Sequence, residues 1–149
     1  MSAFETAMDV RFVNGRLWMI IEMLVFHLGG ATSPNVVEVP VGFMTDFASI
    51  PRLLWWLWPP AGPWAKAAAL HDWLYKTRLV FHLLDHGADM VQKAPYACTR
   101  READGTLYDA MIVSGVAKRD ALCIYLGVRL CGWWPWLRYR RQDRKAGAR

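Results

Sequence analysis

The chain's 149 residues suffice for one compact domain with a real core, and its net charge is +5, much of it near the C-terminus. The three cysteines, Cys98, Cys123 and Cys131, are an odd number without a C-x-x-C pair, so neither a disulfide framework nor a zinc site is indicated and a reducing compartment is the simpler inference. The N-terminus lacks the basic and apolar regions of a signal peptide, and the apolar run 17–28 is too short, and too interrupted by Glu22 and His27, to span a bilayer.

Hydrophobic residues make up 54% of the chain and charged residues 21%, with nine tryptophans. Either a Trp-rich core or an exposed aromatic surface for a partner or membrane accounts for this. In chain order, 10–13 alternates, Asn14-Gly15 follows, and a second apolar run begins. Asn-Gly between two such runs is a strong hairpin signal, because a type I′ turn needs positive φ at both central residues. Strands are expected near 9–13 and 16–27, a loop from Gly29-Gly30 to Pro34-Asn35, and a third strand at 36–39 ended by Pro40. Residues 41–51 read as a loop entering a helical turn that Asp46 or Ser49 caps. Trp55, Trp56 and Trp58 then form a dense patch, either a wall beside the next helix or a face toward lipid.

Gly62-Pro63 breaks the chain before an Ala/Leu-rich helix, 67–75. There His71 and Tyr75 are four residues apart and share a face, while Asp72 points about 100° round the helix. Burying such groups is costly unless they are paired. The stretch 100–114 supplies a partner. Leu107, Tyr108, Met111 and Gly115 follow Asp104 at helical spacing, so Asp104 lies on the apolar stripe. If the two helices pack antiparallel, Asp104 accepts from one ring nitrogen of His71 and leaves the other as an acceptor, the tautomer a general base requires. Asp109 falls on the solvated side, and Gly115 ends the helix or allows close packing.

Between these helices, 79–97 has no clean period. Its His82, Asp85, His86 and Asp89 lack the H-E-x-x-H spacing of a zinc site, and a surface helix or loop ended by Pro95 is expected. A third helix, 118–130, carries Ala121, Leu122, Tyr125, Leu126, Val128 and Arg129 around most of its circumference, which predicts a largely buried helix with Cys123 and Cys131 also inside. Gly132 to Trp136 breaks it. The basic end, 138–149, is either a solvated tail or a contact for anionic lipid, nucleic acid or an acidic protein. The predicted class is α+β: a small N-terminal antiparallel sheet (a hairpin plus one strand), then a three-helix core in which two antiparallel helices carry a His–Asp pair. One domain covers 1–137, followed by the tail.

Two resemblances attach to these residues. The run Val39-Pro40-x-Gly42-Phe43-x-Thr45-Asp46-Phe47-Ala48-Ser49-Ile50-Pro51, with Leu70-His71-Asp72-x-Leu74-Tyr75, Ala103-Asp104 and Met111, resembles a family of small phage and prophage proteins with a domain of unknown function. It implies a phage origin and a shared fold. More locally, His71-Asp72-x-x-Tyr75 followed by Ala103-Asp104-x-x-Leu107 is similar to the active-site signature of phospholipase A2, especially the parvovirus capsid type. That resemblance implies that His71 activates water, Asp104 orients His71, Tyr75 bonds Asp104, and Asp72 ligates calcium, with Gly62 and Asp46 as further candidate ligands. The chain departs from the signature at Leu107, where Phe is expected, and at 59–64, which has one Gly and three Pro in place of a Gly-rich calcium loop.

Two function classes follow. One is a calcium-dependent phospholipid hydrolase carried by a virion, with Trp55, Trp56, Trp58, Trp133, Trp134, Trp136 and the basic tail meeting the host membrane. The other is a tail, neck or assembly protein that binds other virion proteins, in which the His–Asp network only fixes helix packing. Nucleic-acid binding is a weaker third class, since no recognised motif is present. Either leading class places the protein in the virion or in the host cytoplasm during assembly.

Overall fold

The computed structural model describes residues 2–5, 7–15, 17–47, 62–85 and 91–147. An N-terminal antiparallel sheet leads into helices, the α+β class expected. Six strands come first: β1 (Ala3–Phe4), β2 (Val10–Asn14), β3 (Leu17–Ile20), β4 (Leu24–His27), β5 (Asn35–Val39) and β6 (Met44–Thr45). Helix α1 (Ala65–Thr77) follows, then β7 (Leu79–Asp85) and β8 (Val91–Ala97), and finally α2 (Arg100–Val113), α3 (Lys118–Cys131) and α4 (Trp133–Gly147). One sheet has the order β1-β4-β5-β7-β8 and the other β2-β3-β6, with antiparallel pairing throughout.

The Asn14-Gly15 signal is a hairpin: Asn14 pairs with Leu17, and Gly15 takes a φ of 52°. The single strand expected over 16–27 is instead two strands in different sheets, separated by exposed Ile21, Glu22 and Met23. In β4, Leu24, Val25 and Phe26 are buried in succession. Such a run marks a strand covered on both faces, whereas alternation marks one covered on a single face.

The stretch 79–97 is also corrected. It forms a hairpin in full register, from Leu79 opposite Ala97 to Asp85 opposite Val91, that extends the larger sheet beyond the N-terminal strands. Pro95 does not end the element, because β8 is the edge strand, where a missing N–H costs no ladder bond. His82 Nδ1 lies 2.7 Å from Asn35 Oδ1, tying the hairpin to β5. His86 and Asp89 lie outside the described residues.

Helix α2 starts at a capping box: Thr99 Oγ1 accepts from Glu102 N–H, and the Glu102 carboxylate accepts from Thr99 N–H at 2.7 Å. It ends where Gly115 turns left-handed (φ 82°), with Val116 N–H bonded to Met111 O and Gly115 N–H to Ile112 O. Helix α3 buries only Ala121, Ile124 and Val128. Leu122, Leu126, Cys123 and Cys131, expected inside, are exposed, as is Leu130; Cys98 is the buried cysteine. One face of α3 meets the core and the other does not. Trp133 to Trp136 opens α4, which continues through residue 137 as one helix. Pro135 is tolerated in its first turn, where amide hydrogens lack intrahelical acceptors anyway.

The core joins Leu24, Phe26, Val37 and Val39 of the sheet to Leu70 and Leu74 of α1, Leu107 and Met111 of α2 and Ile124 of α3. Each such side chain contributes roughly 1.5–3 kcal/mol on burial. This core fixes α1, α2 and α3 against one another and against the larger sheet.

Candidate functional site

Helix α1 is anchored at its C-terminal end, close to His71. Arg78 caps it in the left-handed region (φ 61°), its N–H bonded to Leu74 O at 2.8 Å. Cys98 N–H to Arg78 O (2.8 Å) and Arg78 Nε to Cys98 O (3.1 Å) hold that turn against β8. From α4, Arg140 Nη2 donates to the carbonyls of Tyr75 and Lys76, at 2.9 and 3.0 Å.

On this support His71 and Asp104 meet. His71 Nε2 lies 3.0 Å from Asp104 Oδ1, and the Tyr75 hydroxyl donates to the same oxygen at 2.6 Å. His71 is 3% exposed and Asp104 0%. Three residues expected to cooperate are thus brought together, with the imidazole and phenol rings 4.1 Å apart between centroids.

Two arginines escaped the sequence reading. Arg129 of α3 donates to Asp104 Oδ2 at 2.7 Å. Arg100, one turn before Asp104, sits 3.7 Å from that oxygen and donates to Arg129 O at 3.1 Å. The available signal was the unused half of the carboxylate: a buried Asp accepting from His71 and Tyr75 at one oxygen requires a donor at the other. Burial alone would raise the Asp104 pKa, but the hydrogen bonds from His71, Tyr75 and Arg129 outweigh it and hold the carboxyl below its ordinary range. Tyr75 is driven the other way, by burial first and then by its bond to Asp104, so its phenol stays protonated. An ionised Asp104 only accepts, so Nε2 points an N–H at it, and in the neutral imidazole Nδ1 is then the acceptor nitrogen.

His71 forms part of the wall of a cleft of about 490 Å³, with Asp104 behind it. Asp72, Thr45, Asp46, Lys76 and Tyr139 line the polar part, and Leu17, Phe43, Met44, Val128 and Pro135 the apolar part. Thr45 is buried, donates to Asp72 Oδ2 at 2.6 Å and accepts from Phe47 N–H at 3.0 Å. This hydroxyl bridge holds Phe47 at a φ of 52°, a left-handed conformation that is rare for an aromatic residue. Gly132 lets α3 close over the site, since a Cβ there would collide with the Tyr75 hydroxyl.

The calcium expectation has a narrower basis. Asp46 and Asp72 share the cleft, whereas the Gly62 carbonyl accepts from Ala65 N–H at 2.9 Å at the start of α1 and is not part of the cleft wall. Calcium takes six to eight oxygens. Among the described residues no group of three or more His, Cys, Asp or Glu side chains is placed to hold a metal.

The tryptophans divide. Trp55, Trp56 and Trp58 lie outside the described residues. Trp136 is partly buried and packs edge-on against Tyr75, 5.1 Å between ring centroids, so it belongs to the support of the site. Trp133 and Trp134 are exposed. Among the described residues no helix is long and apolar enough to cross a membrane.

A family model described as "Protein of unknown function (DUF1353)" matches residues 18–128, most of the chain, with His71, Tyr75 and Asp104 inside the matched span. The chain belongs to that family. No curated protein and no solved structure matches it.

Proposed function

For this DUF1353 protein we propose a hydrolase of phospholipid esters in which His71 is the general base. The observation that carries the reading is that a cleft wall holds an imidazole whose Nε2 is committed to a buried, ionised Asp104. His71 Nδ1 takes a proton from water as the water oxygen bonds to the ester carbonyl carbon. The carbonyl–oxygen bond to the leaving alcohol then breaks, and the imidazolium returns the proton to that alcohol. Asp104 stabilises the imidazolium between the two steps. The apolar part of the cleft suits an acyl chain. The resemblance to phage and prophage proteins supports a role in the virion, at cell entry.

A second reading rests on how completely Asp104 is engaged. His71 and Tyr75 of α1 and Arg129 of α3 converge on this α2 carboxylate, which suits a polar lock between three helices in a non-enzymatic virion or assembly component.

The test is fatty-acid release from mixed phospholipid vesicles by wild type and His71→Ala at matched folded fraction, each with calcium and with a chelator. Loss of about 10²-fold or more in the variant is the expected result. Release that survives chelation fits the described cleft; a calcium requirement means that ligands beyond Asp46 and Asp72 complete the site. No release from wild type, with His71→Ala markedly less stable, overturns the hydrolase and leaves the polar lock.

A further inference from the structure

Helix α4 has two dissimilar faces. Its inner face places Trp136 against Tyr75 and Arg140 on the end of α1, with the Arg140 guanidinium 4.9 Å over the Trp136 ring. Its outer face carries Trp133, Trp134 and Leu137 beside Arg138, Arg141 and Lys145, around a shallow hollow of about 270 Å³. Trp134 is 61% exposed and Trp133 52%, and the two rings stand edge to face. The three cations are exposed, and among the described residues no carboxylate is ion-paired with them. On α3, Leu122, Leu126 and Leu130 recur every four residues and are all exposed.

We infer that this outer face of α4 docks the protein onto an anionic phospholipid surface. Indole rings favour the boundary between headgroup and acyl chain, and adjacent arginine and lysine side chains reach the lipid phosphates. Charge decides between occupants. The span 133–147 holds five basic residues and one acidic one, so a second copy in the same orientation meets repulsion. A single-stranded nucleic acid would stack on the tryptophans but has no use for exposed Leu137 beside them, which calls for hydrocarbon. The docking requires no turnover, so it is tested separately from the role of His71.

The experiment is co-sedimentation of the full chain with vesicles of phosphatidylcholine alone and of phosphatidylcholine with phosphatidylglycerol, at low and high salt. Wild type is expected to bind the anionic vesicles, and less so as salt rises. Reversing Arg138, Arg141 and Lys145 to Glu should weaken partitioning on the order of a hundredfold. Trp133→Ser with Trp134→Ser should weaken it at least about tenfold while leaving salt sensitivity in place. Both variants alter exposed positions, and circular dichroism checks that they fold. Binding that is equal for neutral and anionic vesicles, or unchanged in either variant, overturns the inference. So does failure of wild type to sediment while it shifts a labelled oligonucleotide, which would assign the face to nucleic acid.

Discussion

The Asp104 centre and the outer face of α4 are built from the same materials, aromatic rings and cationic side chains, and differ in what surrounds them. At the centre Tyr75, His71 and Arg129 converge on a carboxylate that water does not reach. On α4 the rings of Trp133 and Trp134 and the charges of Arg138, Arg141 and Lys145 are open to solvent. Burial makes each polar contact obligatory, because a lost partner leaves an unsolvated group behind. Exposure makes each contact optional and leaves the side chain available to something outside the chain.

The contrast is broken most directly at Asp104. Asp104→Ala should cost about 3–5 kcal/mol in urea unfolding, since it strands His71, Tyr75 and Arg129 together; a loss under about 1 kcal/mol would place the centre on a par with the surface. The same residue sets an acid limit. Its native pKa is depressed, while an unfolded Asp titrates near about 3.9. The unfolded chain therefore takes up this proton first. The stabilisation is complete above that value and is lost as pH falls through the native pKa. A stability–pH curve for Asp104→Asn should lack that part of the acid slope.

Gly132→Ala comes next, at about 1–3 kcal/mol, because the new methyl displaces the Tyr75 hydroxyl; thermal unfolding measures it. At the rim of the cleft, Thr45→Val should cost about 1–3 kcal/mol by removing the donor to Asp72 and the acceptor for Phe47 N–H. The smallest effect belongs to the outer face. Trp133→Ser with Trp134→Ser should shift chemical unfolding by under about 0.5 kcal/mol per site. A larger shift would mean that these rings support the fold, and the two regions would no longer be opposites.

Much of the centre was legible because helical spacing is a local property. His71 and Tyr75 lie four apart, and Asp104 sits on an apolar stripe, so both helices and their pairing could be read from a few residues each. Arg129 was hidden because its role depends on the packing of α3 onto α2, which the period of α3 does not encode. The same period misled in burial: Leu122 and Leu126 look like core residues, yet face outward with no covering element among the described residues. Strand limits failed for a related reason. Residues 17–26 are apolar apart from Glu22, and the change of sheet at 21–23 is a tertiary event. The hairpin at 79–97 was obscured by its histidines and by Pro95, which an edge strand accommodates.

The placement of that hairpin bears on how the chain assembles. Strand β5 lies inside the larger sheet, and its neighbour β7 comes only after α1, with Asn35 paired to His82. That contact closes a loop of several dozen residues, a separation associated with slow folding. During synthesis the first six strands and α1 emerge before β7 exists. Until then β5 is an open edge, a template for strands of other chains. Helix α1, with its His71, thus belongs to a unit that stays adhesive until the β7–β8 hairpin arrives to shield it.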